Sequence, residues 1–310
     1  MSAPSPRFAC PRCHSALSSL AADELLCPDE GSLYRREAGI WRFLLPERAA
    51  AFERFTREYE TVRRGEGRGS EDAAYYRALP FEDQTGRFSR DWEIRSRSYA
   101  AFERRLLEPL EQRLARPLLA LDLGAGNGWL ANRLAQRGHA VAAVDLLTND
   151  LDGLGAYRHY SSEYTSVQAE FERLPFEDGQ FDLAIYNASF HYSVSYEAAL
   201  RESLRVLRRE GRVAILDTPI YRRPSSGEQM VREREAQFQE TFGFPSNAIP
   251  SENYLTFQRL RALSRALAIE WEMIVPFYGL RWAARTWRAR LLRRREPARF
   301  LILVGQHPRA

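Results

Sequence analysis

From Leu118 to Thr218 the chain alternates short apolar runs with amphipathic stretches. The runs 118–124, 140–146, 164–170, 181–188 and 212–218 read as strands, several of them apolar on both faces. The stretches 129–137, 151–158 and 196–208 between them have helical spacing, and Gly138 and Gly211 sit where glycines close helices. Such alternation builds βαβ units and a parallel sheet. Beyond it, Ser225–Thr241 and Glu252–Leu267 read as helices, and Ile269–Val275 and Arg299–Gly305 as two more strands. Ahead of the alternation the pattern is helical from Pro46: Phe52, Phe55, Tyr59 and Val62 make one apolar stripe. Arg63–Ser70 is a loop by its glycines, Glu71–Leu79 a short helix stopped by Pro80, and Asp91–Leu107 a longer helix whose continuation Pro109 and Pro117 bracket. Residues 1–46 form a small separate unit, 47–117 a helical layer, and 118–310 the sheet-bearing core with insertions at 221–250 and 281–296.

Composition narrows the class. The 310 residues are 45% hydrophobic, enough for a large core, yet no apolar run approaches the length of a membrane span. Met1–Arg12 carries Pro and Ser without an apolar segment, which predicts no secretory signal. The three cysteines all lie in the first 27 residues and make no disulfide framework, so a cytoplasmic location is expected. All 45 basic residues are arginine, and the net charge of +4 is uneven. Residues 281–296 hold seven arginines against Glu296, a net of +6, so the rest of the chain sums to −2. The basic balance therefore belongs to one segment and not to a basic surface over the whole molecule.

The first strand runs into the most informative stretch, Asp122-Leu123-Gly124-Ala125-Gly126-Asn127-Gly128, with a helix directly after it. Glycines there let the backbone bend and a ligand approach, and the helix start turns free N–H groups toward it. This reads as a nucleotide-type cofactor site on a doubly wound sheet. The dinucleotide fingerprint requires a third glycine at the position held by Trp129, so the spacing is a different one.

Asp-x-Gly-x-Gly-x-Gly resembles motif I of the class I S-adenosylmethionine-dependent methyltransferases. Three further elements follow in order: the strand 140–146 ending in Asp145; Glu170-Phe171-Glu172-Arg173-Leu174-Pro175-Phe176 before a Glu177-Asp178-Gly179 turn; and Leu204-Arg205-Val206-Leu207 before Gly211, with Glu210 in place of one of the family's paired glycines. The resemblance spans about residues 90–220 and is closest to the ubiquinone- and menaquinone-methyltransferase-like group, methyltransferase type 11. It implies a Rossmann-like class I methyltransferase sheet of the α/β class, parallel with an antiparallel C-terminal hairpin edge and helices on both faces. It implies S-adenosyl-L-methionine as cofactor and methyl transfer as the activity. By the same resemblance Gly124, Ala125, Gly126 and Gly128 border the methionine part and Asp122 lies near its ammonium group. Asp145, followed by Leu146, holds the ribose. Glu170 accepts from the adenine amino group, the Phe171 backbone donates to the ring, and Asn187 closes the site at the end of the fourth strand. The blander alternatives are Asp145 as a helix-start charge and Glu170 as a solvated strand-end residue. Arg95 and Tyr99, in the helical layer, are candidates for the methionine carboxylate, with Arg95 as a solvated helix arginine the alternative.

A base is needed only where the acceptor must lose a proton. The candidate catalytic residue is His191, after the fourth strand, whose ring titrates near neutrality; the alternative is that it lines the pocket. Asn187 is not followed by Pro-Pro-Tyr, so the family signature for amide or adenine N6 methylation is absent.

Cys10-Pro11-Arg12-Cys13 is a zinc-knuckle half-site, because two thiolates on one tight loop reach one tetrahedral metal. With Cys27 it resembles the zinc-ribbon activator subunits of methyltransferases and the N-terminal zinc module of some 23S rRNA guanine methyltransferases. The chain departs from both at the fourth ligand, where Glu30 or Gly31 stands, and His14 adjoins Cys13 awkwardly. Zinc on Cys10, Cys13 and Cys27 and a ribbon held by packing alone are the two readings.

Segment 281–296 is amphipathic if helical: Leu280, Ala284, Trp287 and Leu291 fall within roughly 60° of one another. An edge helix packed on the sheet, a contact with an anionic membrane surface and a contact with RNA are its three readings. The functional expectation is methyl transfer to a small-molecule or lipid-like acceptor. Its rivals are an rRNA guanine methyltransferase, suggested by the cysteines, and a non-catalytic cofactor- or partner-binding protein.

Overall fold

The computed structural model of the chain describes residues 5–306; Met1–Pro4, part of the stretch searched for a signal, lie outside the described residues. Four short strands open it: β1 (Ser18–Ala21), β2 (Glu24–Leu26), β3 (Leu33–Glu37) and β4 (Ile40–Arg42). Helices α1 (Pro46–Gly65), α2 (Ala73–Ala78) and α3 (Ser89–Phe102) follow, then a π-helical turn over Glu103–Leu107 and α4 (Glu108–Leu114). The helix expected at 91–107 thus runs on through Pro109. The wider turn just before it takes up the missing amide and the ring's clash with the preceding carbonyl.

The alternation then appears as β5 (Leu119–Leu123), α5 (Trp129–Gln136), β6 (Ala140–Asp145), β7 (Thr165–Gln168), β8 (Phe181–Asn187), α6 (Tyr196–Val206) and β9 (Leu207–Leu216). The 151–158 stretch forms a 3₁₀ helix over Leu154–His159 and not an α-helix. Gly153 and Gly155 there pack against the backbone of residues 147–149. Gly211 does not close a helix: α6 gives way directly to β9 at Leu207, and Gly211 sits where β9 shifts register against β8, beside the Phe181 carbonyl. Last come β10 (Ile220–Tyr221), α7 (Pro224–Phe242), β11 (Leu255–Thr256), α8 (Phe257–Leu267), β12 (Glu270–Ile274), α9 (Leu280–Ala283), α10 (Arg285–Leu291) and β13 (Ile302–Gln306). Helix α8 starts later than the pattern predicts because residues 255–256 pair with β10 and the Thr256 hydroxyl caps the Arg259 amide.

The sheet order is β1-β2-β3-β4-β7-β6-β5-β8-β9-β13-β12. Strands β4 to β9 run parallel in their pairings, and β13 is antiparallel to both β9 and β12. The Rossmann-like sheet with an antiparallel C-terminal edge is therefore as expected. Every residue of β5 is buried, and along it alternate side chains enter different cores. Leu119, Leu121 and Leu123 join the cluster with Leu200 and Leu263; Ala120 joins the one with Trp92, Phe102 and Leu130.

The N-terminal strands continue this sheet. Strand β4 pairs in parallel with β7, Trp41 opposite Val167, and the Phe43 amide bonds to the Gln168 carbonyl. Phe8 packs on Trp41, Phe43 and Phe176, so Cys10, Cys27 and Tyr34 share one core with the central strands.

Candidate functional site

From β5 the chain goes out through β6 and β7 and returns to β8 on the other side of β5, so a crevice opens at the carboxyl ends of β5 and β8. Gly124, Gly126 and Gly128 all have positive φ, +76°, +55° and +77°. At Gly124 a side chain would collide with Ser189, whose hydroxyl donates to the Leu123 carbonyl at the crevice wall. The turn is held from the next strand: the Gly124 and Ala125 amides bond to the Val144 carbonyl. Asp145 accepts from the Gly126 and Leu147 amides, one on each carboxylate oxygen, both at 2.8 Å.

The crevice is an open cleft. Asp122, Gly124, Ala125, Gly126, Asp145, Leu146, Glu170, Phe171 and Asn187 all border it. Its upper wall is aromatic: Phe52, Phe55 and Tyr59 from α1, Trp92 from α3 and Tyr192 beyond β8. Gly128 does not border it. It starts α5 and lies against Tyr164, where any side chain would strike the ring, so it serves close packing and not ligand approach.

Five carboxylates border the cleft, Asp152 with its Arg63 partner among them. Asp122 is 1% exposed, and neither of its oxygens has a hydrogen-bond partner among the described residues. Burial pushes its carboxyl up to about 7, against the weak pull of the Ala131 amide, which makes no well-formed hydrogen bond to it, and the nearby Asp145 charge adds to the shift. Burial likewise raises Asp145 to about 6, against the pull of its two amide donors. Glu172 accepts from the Val194 and Ser195 amides and so holds the loop after β8. Glu170 is committed differently from expectation: Arg48 of α1 grips both oxygens, at 2.8 and 2.6 Å, which makes it a buried ion pair and not a solvated strand end.

Two cations border the cleft. Arg63 pairs with Asp152 and ties the end of α1 to the loop after β6. The sequence reads Arg63 as a loop residue because glycines follow it, yet α1 runs to Gly65. Arg95 has no carboxylate partner among the described residues; it stacks 4.8 Å from Trp92, and burial lowers its pKa. It is not a solvated helix arginine. Tyr99 is buried among Phe81, Phe102 and Trp129 and does not border the cleft.

His191 does not border it either. The ring is buried on a 3₁₀ turn, Nδ1 lies 3.5 Å from the Thr218 hydroxyl, and the ring packs on Tyr192. Burial, reinforced by Arg234 and Arg95, pushes its pKa down to about 3. A ring so held is neutral but a weak proton acceptor.

Away from the cleft, the sulfurs of Cys10, Cys13 and Cys27 lie within 4.8 Å of one another, and those of Cys13 and Cys27 are 3.5 Å apart. Burial raises the Cys27 thiol to about 11, while the bond to Ser15 lowers exposed Cys13. No fourth His, Cys, Asp or Glu joins this group among the described residues. His14 turns toward Glu202, Asp29 takes the Ser15 hydroxyl and Glu30 faces Arg12. The Tyr34 hydroxyl, 3.2 Å from the Cys10 sulfur, is the polar neighbour that the spacing of cysteines did not foretell.

Residues 121–215 match the model of a methyltransferase domain family. Over 124 residues the chain is 35% identical to a malonyl-[acyl-carrier protein] O-methyltransferase of Geobacter sulfurreducens, covering 37% of this chain and 45% of that one. Over 156 residues it is 35% identical to a sarcosine/dimethylglycine N-methyltransferase of Halorhodospira halochloris, covering 48% and 55%. The chain thus spans about half the length of the curated relatives it matches. Among solved structures it resembles a putative sarcosine dimethylglycine methyltransferase from Galdieria sulphuraria, with a TM-score of 0.51 at 16% identity over 81% of this chain and 98% of that one. At that identity the likeness is one of fold.

Proposed function

We propose that the protein, whose residues 121–215 match a methyltransferase domain model, transfers a methyl group from S-adenosylmethionine to a small-molecule or lipid-like acceptor held against the aromatic wall of the cleft. The observation that carries this reading is Asp122. It is a buried carboxylate with both oxygens unpaired, beside a glycine turn and facing a cleft whose other bordering carboxylates already have donors. Such a group is costly unless a cation or donor arrives, and an ammonium group meets that need.

The donor set fits the cofactor. Asp122 would take the ammonium, Asp145 would use its remaining lone pairs on ribose hydroxyls, and Glu170 with the Phe171 backbone would meet the adenine. Arg95, the bordering cation without a carboxylate partner, is placed to take the methionine carboxylate. When bound, S-adenosylmethionine supplies a methyl group already activated on a sulfonium. The chain's part is then positioning: Phe55, Tyr59, Trp92 and Tyr192 hold the acceptor and keep water from the cleft. Near-attack geometry of that kind supplies roughly 7–11 kcal/mol of a barrier. With His191 buried off the cleft and its pKa about 3, we assign it to packing and not to proton removal. The acceptor is then one that arrives with its nucleophile ready. Related sequences carry the names malonyl-[acyl-carrier protein] O-methyltransferase and sarcosine/dimethylglycine N-methyltransferase.

The convergent cysteines support a second reading, an rRNA guanine methyltransferase with an N-terminal zinc module. Incubation with methyl-labelled cofactor and fractionated host extract separates the two. Label in the lipid or small-molecule fraction is expected; label in RNA alone supports the second reading. If calorimetry detects no binding of S-adenosylmethionine or its demethylated product to folded protein, both readings fail.

A further inference from the structure

Eleven large apolar side chains are markedly exposed among the described residues, and seven of them lie between positions 273 and 292. They are Met273, Val275, Phe277, Leu280, Trp287, Leu291 and Leu292, with exposures from 50% to 81%. Four of the seven belong to α9, α10 and the residue after α10. This is the amphipathic stretch of the sequence, and its apolar face is not packed on the sheet: Leu280, Trp287 and Leu291 all point to solvent. The residue that docks the segment is Trp282, which packs on Tyr278 and Phe300 and lies under Arg285. A second anchor lies at the far end, where Arg295 pairs with Glu233 of α7 and Glu296 accepts from the Arg222 amide. Between the two anchors the segment presents its apolar side chains outward.

The charge on the same stretch is equally uncommitted. Arg281, Arg288, Arg290, Arg293 and Arg294 are exposed, and none has an ion-pair partner among the described residues. Elsewhere more than half of the described arginines form ion pairs, whereas within 281–296 only Arg295 does. A stretch of exposed apolar side chains interspersed with unpaired arginines, on a chain otherwise of net −2, matches one surface chemistry closely. Apolar side chains enter the acyl boundary while guanidinium groups sit among anionic headgroups. A protein groove would leave the arginines to find acidic partners one by one, and RNA would leave Leu280, Leu291 and Leu292 in water.

We propose that residues 273–294 dock the protein on the surface of an anionic lipid bilayer, Trp287 and Leu291 entering the headgroup boundary and the five free arginines contacting anionic headgroups. The contact is peripheral, since no helix among the described residues is long and apolar enough to cross a membrane. Its place in the fold matters. The segment leading into α9 bonds to α3 through Tyr278 and Ser98 at 2.8 Å, and α3 carries Trp92 and Arg95 into the cleft wall. A bilayer bound here lies next to an element that covers the cleft. The inference rests on the surface alone and stands whether or not the acceptor is a lipid.

The test is co-sedimentation of the full chain with vesicles of phosphatidylcholine alone and with about one third phosphatidylglycerol, at low and high salt. Binding to the anionic vesicles only, and its loss in high salt, is expected. Each engaged arginine contributes on the order of fivefold in partitioning, so replacing Arg281, Arg288, Arg290, Arg293 and Arg294 with Gln should bring sedimentation to background. A second variant, Trp287→Ser with Leu291→Ser, keeps all the charge and should still lose binding at least several-fold, which separates insertion from electrostatics. Binding of S-adenosylhomocysteine, measured on each variant, reports folding and the methyltransferase reading independently. Negligible sedimentation of the parent with anionic vesicles overturns the proposal. So does unchanged binding in the serine variant, or preference for RNA over vesicles in a direct competition.

Discussion

Asp122 condenses the chemistry of the site into one residue. Its position at the end of a buried strand follows from the apolar run around it, and the glycines after it leave it no side-chain neighbour to bond. Burial then raises it to about 7 and its neighbour Asp145 to about 6. Both must be ionised to take an ammonium group and two hydroxyls. The sign follows: a carboxyl raised in the free protein binds a proton below that pKa, and the ligand must displace it. Affinity for S-adenosylhomocysteine is therefore expected to rise from pH 5 to pH 8, by about tenfold per unit for each carboxyl below its pKa. Asp122→Asn should weaken binding at pH 8 by on the order of 10- to 100-fold, the scale of a charge-assisted hydrogen bond. It should also flatten the profile above pH 6. Calorimetry across buffers checks it, and a parent profile flat from pH 5 to 8 would remove the ammonium assignment. As residues that border the cleft, Asp122 and Gly124 were legible from the fixed spacing of one turn, and Asp145 and Glu170 from the family resemblance. The commitment of Glu170 to Arg48 was not, since the two lie 122 residues apart and no local pattern joins them. His191 misleads for the reverse reason: residue type and strand end were visible, but burial that lowers its pKa is a property of packing.

At the scale of elements, propensity and pattern located the strands well and the helix ends less well. Strands β5, β6 and β8 are bounded by a glycine, a carboxylate and an asparagine, so their limits fall within a residue or two of those expected. The 3₁₀ turn at 154–159 and the late start of α8 depend on contacts with distant residues, which periodicity does not carry. The ribbon shows both sides. The local Cys-x₂-Cys loop and Cys27 do converge, as their spacing requires, but the outer neighbour of the group is the Tyr34 hydroxyl. Three thiols with an incomplete tetrahedron suit a thiophilic ion whose fourth ligand comes from solvent. Cys13 separates metal binding from packing, because it is exposed while Cys10 and Cys27 are buried in the core. Zinc added to chelator-treated protein is expected to raise the melting temperature of the parent and to leave Cys13→Ser unchanged. Equal melting temperatures with and without zinc in the parent would return the three thiols to a packing role.

In the molecule as a whole, the sheet does not stop at residues 121–215, which match the methyltransferase domain model. The sequence divides at Pro46, where short strands give way to helix, and so suggests a separate N-terminal unit. Division in sequence is not division in space: β4 lies parallel against β7 and carries the sheet on through three more strands. Pairing between residues 40–42 and 166–168 is long-range, and nothing within either segment announces the other. Strand β7 without β4 presents an unpaired edge that contains Val167 and runs on into Ala169, and loss of Phe8, Trp41 and Phe43 uncovers Phe176, all of them now in one core. Phe43 and Trp41 are 1% and 8% exposed, and each such side chain buried contributes about 1.5–3 kcal/mol. Two of them alone approach half the stability of a marginal domain. A chain lacking residues 5–45 is therefore expected to lose most of its thermal stability, or to aggregate through the bared β7 edge. Loss of cofactor binding should follow, because Glu170 and Phe171 come two and three residues after that strand. The measurement is a thermal melt with light scattering, together with calorimetry of S-adenosylhomocysteine. A truncated chain that melts with the parent and binds as tightly would make residues 5–45 an appended unit, and would leave β7 a sound edge on its own.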